Sequence, residues 1–146
     1  MYREKENNPD MTDHGPAPFV TDLYMDALQN RMFRRTLWTG EHLQMTLMDI
    51  PVGGEIGLER HDQLDQFLQI EDGFGLVMMG QTAERLDYRQ QVAPGYGVFV
   101  PAGTWHNLVN VGNRQLKLYS IYAPPGHPHG TVHPTKADAD AQEHPY

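Results

Sequence analysis

The chain of 146 residues contains no cysteine. That absence excludes a disulfide framework, cysteine-based zinc fingers and thiol nucleophiles, and it leaves the compartment open. Long apolar runs are missing too. No stretch approaches the roughly 20 residues that cross a bilayer, and the opening MYREKENNPDMTDHG lacks the apolar core of a secretory signal. Positive charge is scarce: 11 Lys and Arg stand against 19 Asp and Glu, for a formal net charge of −8. Polyanionic partners are therefore disfavoured, and no basic run or RNA-type aromatic motif appears. The expectation is a cytoplasmic protein with a small-molecule substrate and neither nucleic acid nor membrane as partner.

What is present is punctuation. Gly and Pro recur throughout, with 14 and 11 copies. A chain of this length makes one domain and buries a core without staples. Residues 1–18 are polar and read as a flexible arm. Thr21 or Asp22 is placed to cap a short helix reaching about Arg31, with Leu23, Ala27 and Leu28 on one stripe. Two strands are expected over 33–39 and 42–50, where Leu43, Met45 and Leu47 alternate with polar neighbours. Further strands are expected near 56–61, 66–71, 75–79, 83–91, 97–100, 106–111 and 115–123. Short strands at about ten-residue spacing between turn residues argue an all-β sandwich or barrel over residues 19–123. Residues 124–146 change character, with five prolines and four histidines. They read as an irregular tail that crosses the barrel mouth or a neighbouring subunit, with a helical turn at Lys136 to Glu143.

Four side chains in two glycine-framed segments are the chemical core of the sequence. The first segment runs from Gly53 through Glu59-Arg60-His61 and Gln66 to Gly73. The second runs from Gly95 through Pro101, Gly103 and His106 to Asn110. Alternate strand residues face the same way, so Glu59 and His61 point into one cavity while Arg60 points out. If Gln66 lies on the next strand, Leu68 and Ile70 share its face and give an apolar wall. Trp105, next to His106, faces away and packs. Two imidazoles, one carboxylate and one carboxamide form a donor set for a divalent ion. Zn, Mn, Fe, Ni and Co all suit it, and ligand identity alone does not choose among them.

These two segments resemble the paired signature motifs of the cupin superfamily. The second matches at Gly95, Pro101, Gly103, His106 and Asn110. The first matches at Gly53, His61 and Gly73. It departs at Glu59, where the family usually has a histidine, and at Gln66, where it usually has a glutamate. DQFLQIEDG, PAGTWHNLVN and LYSIYAPPGHPHGTVHPTKADA resemble small single-domain cupin-2 proteins of the mannose-6-phosphate isomerase-like kind. The resemblance implies a double-stranded β-helix, the jelly-roll barrel, with a short N-terminal helix and the irregular tail. It implies a metal held by Glu59, His61, Gln66 and His106.

An open metal site acts as a Lewis acid on substrate oxygens. The expected function is therefore an isomerase-like enzyme acting on a sugar or sugar phosphate. Two other readings use the same barrel: a non-catalytic small-molecule sensor, and a metal-dependent dioxygenase. A 1,2-hydrogen shift needs a proton shuttle, for which His42, Tyr119 and Tyr122 are the candidates. Arg34, Arg35 and Lys117 would serve a phosphate only if they faced inward. Phe67 and Phe99 suit sheet-to-sheet contacts of a homodimer.

Overall fold

The structure, a computed structural model, describes residues 10–142. Its elements in chain order are α1 (Leu23–Gln29), β1 (Arg34–Thr39), β2 (Gln44–Ile50), β3 (Asp65–Asp72), β4 (Gly75–Gly80) and β5 (Tyr88–Val92). There follow β6 (Gly97–Val100), β7 (Trp105–Asn110), β8 (Leu116–Ala123), β9 (Val132–His133) and α2 (Lys136–Gln142). Every strand pairing is antiparallel. One sheet has the order β6-β3-β8-β2-β1-β9, and the other β5-β4-β7. The core joins both: Met48, Leu68, Ile70, Val98 and Leu118 from the large sheet meet Val77, Met79, Val92 and Leu108 from the small one. The strand spacing predicts an all-β sandwich or barrel, and the architecture is the jelly-roll barrel that the resemblance implies.

Alternation fixes which residues line the interior. Along β3 burial alternates from Gln66 through Leu68 to Ile70, as the period-2 pattern predicts. Register then assigns the neighbours. Gln66 lies opposite Tyr122 and Val100, and Leu68 opposite Ser120 and Val98. Ser120 lies opposite Thr46, and Thr46 opposite Thr36. The inner face of the large sheet therefore carries a row of three hydroxyls, Thr36, Thr46 and Ser120, each fully buried.

Four expectations need correction. Residues 56–61 form no strand. Only Glu55 and Glu59 bridge to β7, because Gly57 turns the backbone to φ +109° and gives its N–H to Asn107 Oδ1 instead of to a ladder. The strand expected over 83–91 starts at Tyr88, since Thr82 and Arg85 close a turn first. The tail expected to be irregular is so over 124–131, and its helical turn from Lys136 is there as α2, but a strand precedes it. β9 extends the large sheet through Arg34 and Arg35, and α2 begins with a reciprocal cap between Thr135 and Asp138. Residues 10–18 are tied down: the Asp13 carboxylate accepts from Thr39 Oγ1 at 2.6 Å and Gly130 N at 3.0 Å. Residues 1–9 of the expected arm and 143–146 of the tail lie outside the described residues. The helix α1 agrees with expectation, capped by Asp22 and seating Ala27 in the interior. Among the described residues no helix is long and apolar enough to cross a membrane.

Candidate metal centre

Glu59 and His106 are brought together by backbone pairing. Glu59 N donates to His106 O at 3.0 Å, and His106 N to Glu59 O at 2.9 Å. Residues directly opposed in an antiparallel pair project to the same side. Both side chains therefore enter the barrel, and His61, two residues on, follows Glu59. The His61 carbonyl is held by Gly103 N at 2.8 Å. Gly103 sits at φ +85°, a left-handed conformation natural to glycine. Arg60 points outward and stacks over Trp105, 5.1 Å from the ring centre. That is the outward placement expected for both.

The donor atoms of Glu59, His61 and His106 all lie within 4.8 Å of one another. Glu59 Oε2 is 3.4 Å from His61 Nε2 and 3.3 Å from His106 Nε2. A charge-assisted hydrogen bond would be shorter, about 2.7–2.9 Å. Two ligands each about 2.1 Å from one ion lie about 3–3.4 Å apart. The spacing is that of donors sharing a cation.

Proton placement agrees. His106 Nδ1 lies 2.9 Å from the Thr104 carbonyl, which only accepts. Nδ1 therefore carries the hydrogen, and Nε2 turns a lone pair to the site. Burial pushes the Glu59 carboxyl up, but the two imidazoles beside it outweigh this and hold it well below the usual carboxylate range. Glu59 is thus an anion, with 23% of its side-chain surface open to solvent.

Gln66 is buried on the facing sheet, and its Nε2 donates to Ser120 Oγ at 2.9 Å. That bond fixes the amide so that Oε1 is the free end. Glu59 Oε2, His61 Nε2, Gln66 Oε1 and His106 Nε2 are each buried without a hydrogen-bond partner. Each such atom costs about 1–3 kcal/mol if left alone. Acceptor ends at Glu59, Gln66 and His106 beside the His61 imidazole fit a metal ion, and no other described residue partners these four atoms.

The other candidates separate. Tyr122 is buried, its ring centre 5.8 Å from that of His61 and 5.0 Å from that of His127. His42 stands in solvent with 87% of its side chain exposed. Tyr119 is on the outward face of β8, since inward positions alternate through Leu118, Ser120 and Tyr122. Neither His42 nor Tyr119 can shuttle a proton in the barrel. Arg34 faces inward, in register with Met48 and His133. Arg35 is turned the other way and bonds Thr12 O. Lys117 is held by Asp49 and Asn30 O, away from the cavity. Asn110 is structural, tying Ile50 O, Arg114 O and Gly112 N together.

Sequence reading put the tail across the barrel mouth or a neighbouring subunit but missed the residue that seats it. Gln44 holds residues 126 and 127, accepting from both backbone N–H groups and donating to His127 O at 2.7 Å. His127 and His133 therefore continue the row of rings that starts at His106. A buried glutamine among alternating apolar residues was the available signal.

The Cupin domain family model matches residues 46–122. The uncharacterized protein YrkC of Bacillus subtilis is 52% identical over 139 residues, covering 95% of this chain and 75% of YrkC. The uncharacterized protein L612 of Acanthamoeba polyphaga mimivirus is 34% identical, covering 78% of this chain and 70% of its own. The crystal structure of BH2720 from Bacillus halodurans superimposes with a TM-score of 0.89 at 61% identity, covering 89% of this chain and 98% of that one. With the barrel, the two motif segments and these relatives in agreement, the chain belongs to the cupin superfamily.

Proposed function

We propose that the protein binds one divalent metal ion through Glu59 Oε2, His61 Nε2, Gln66 Oε1 and His106 Nε2. It is an enzyme for a small oxygen-rich molecule, a sugar or sugar phosphate, in the manner of the mannose-6-phosphate isomerase-like cupins. The observation that carries this is the set of four buried, unpartnered polar atoms from facing walls of the barrel. A bound ion supplies Lewis acidity toward a substrate oxygen. The chain's own residues do the rest. Thr104 and Ser120 orient His106 and Gln66. Leu68 and Val100 keep water from the inner wall. Tyr122 remains the shuttle candidate among the three named from sequence, and Arg34 brings a cationic side chain to the interior face.

A homodimer belongs to the same proposal. Phe99, Phe67, Ile121 and Met45 form an uncharged outer row across four adjacent strands. Phe99 is 74% exposed. Two copies of net charge −8 meet with least repulsion on such a face.

The test is elemental analysis of freshly purified wild type beside Glu59→Ala and His106→Ala. About one ion per chain is expected in the wild type, with loss in both variants. Equal content in all three defeats the assignment. Metal-loaded protein is then given aldose and ketose phosphates, and interconversion is expected. Oxygen uptake with a diketone would make it a dioxygenase, and binding without turnover a sensor.

A further inference from the structure

A second cavity lies outside the barrel, away from the metal centre. Alternation along β1 sends Arg34 inward and both Arg35 and Leu37 outward. These outward residues are nevertheless buried, 7% and 3% exposed. Residues 10–14, 19–21 and the end of α1 close over them. His14 N holds Leu37 O at 2.9 Å, and the His14 ring stacks on Phe19 with centres 4.1 Å apart. Under this cover is a cavity of about 610 Å³, a size usual for small-molecule sites.

Arg35 lines that cavity and is poorly bonded. A guanidinium has five N–H donors. Here only Nη1 meets acceptors, the Thr12 and Thr36 carbonyls, each at a long 3.4 Å. Among the described residues no carboxylate forms an ion pair with it. Burial holds the guanidinium below its ordinary range, and Asp10, Asp26 and Asp13 oppose this through charge alone. A buried charge in that position is costly until a ligand meets it.

Two of those carboxylates, Asp10 and Asp26, line the same cavity, with Arg31 as its other cation. Asp10 is taken by Thr12 N and His14 Nε2. Asp26 accepts from Thr21 through Oδ2 and keeps Oδ1 for another donor. A simple anion here would face two carboxylates, and a simple cation would face Arg35. A dipolar ion meets each charge with its opposite and bridges a gap too wide for a direct ion pair. The remaining wall is apolar, with Phe19, Leu28 and Met32.

We propose that this cavity binds a free amino acid with an apolar side chain, its carboxylate on Arg35, its ammonium on Asp26 and its side chain against Phe19, Leu28 and Met32. The site does not depend on the metal centre and goes beyond the function proposed above.

The test titrates L-leucine and L-phenylalanine into the full chain by calorimetry. Beside them run 4-methylpentanoate and 3-methylbutylamine, which are leucine without its ammonium and without its carboxylate. Saturable binding of at least one amino acid, one per chain, is expected. The two truncated probes should bind at least about ten-fold more weakly, each lacking one charge-assisted hydrogen bond. Arg35→Met keeps the stem and should abolish binding. Asp26→Asn, at a half-buried position of α1, should bind leucine no better than 4-methylpentanoate. The Arg35 Nε–H signal in the proton–nitrogen spectrum of the wild type needs no variant, and it should shift with the amino acid. Chelator-treated protein should bind as well as untreated protein. No binding of either amino acid, equal binding of leucine and 4-methylpentanoate, or an unmoved Arg35 signal overturns the proposal. So does binding that disappears with the chelator, which would put the amino acid on the metal ion instead.

Discussion

At the scale of residues, the centre is an anion placed among imidazoles, and pH reports it. The Glu59 carboxyl is lowered from its ordinary value of 4.5 on folding. A carboxyl lowered in the folded state adds stability that is complete above its unfolded pKa and lost as pH falls through the folded one. Glu59→Gln should therefore flatten the decline in stability below about pH 4.5, read by urea unfolding across a pH series. Above that range the same variant should bind metal more weakly, since the amide lacks the charge. Ser120→Ala tests the support. It frees the Gln66 amide to rotate, and a loss of about ten-fold in metal affinity is expected from competition with a chelator.

Legibility in the sequence divides along the same line. Glu59 and His61 were readable because they are two apart and local alternation aligns them. Gln66 was readable for its face. The support that Ser120 gives Gln66 was not, because it depends on a pairing between strands far apart in the chain. Alternation says which way a side chain points and not what it meets.

At the scale of elements, the ligand strip 55–61 is held by few bonds. Two bridges to β7, the Asn107 side chain and Gly103 are its main supports. Gly103→Ala should cost about 1–2 kcal/mol for the left-handed backbone and loosen His61, lowering both melting temperature and metal retention. The sequence predicted a strand here from alternation, but Gly57 and the competing Asn107 amide override it. The arm and tail were underestimated for a related reason. Polar, proline-rich composition argues against a core, yet these segments are anchored by single buried groups. Asp13 has no exposed side-chain surface. Asp13→Ala strips an acceptor from Thr39, Gly15 and Gly130, and a loss of about 2–3 kcal/mol is expected in denaturant unfolding.

At the scale of the molecule, the proposed ion links two sheets. Glu59, His61 and His106 stand on the side of β7, and Gln66 on β3 across the barrel. Metal that binds only the folded barrel stabilises it by mass action, about 2.7 kcal/mol at a hundredfold excess over Kd. Chelation should lower the melting temperature of the wild type and leave that of His106→Ala unmoved. The outer row gives the assembly test. Phe99→Glu is expected to turn a dimer into a monomer in sedimentation while leaving metal content intact. An unchanged sedimentation coefficient would place the interface elsewhere.

The two-residue strand β9 has a consequence beyond the cavity. With Thr131 O and Pro134 O, it occupies hydrogen-bonding positions along the outer margin of β1. His14 N, from the opposite end of the chain, takes the Leu37 carbonyl. Stripped of these, β1 becomes a template for strand addition from other chains. Proteolytic clipping after Ala123 would then announce itself first as fibrous or turbid material, ahead of any loss of secondary structure.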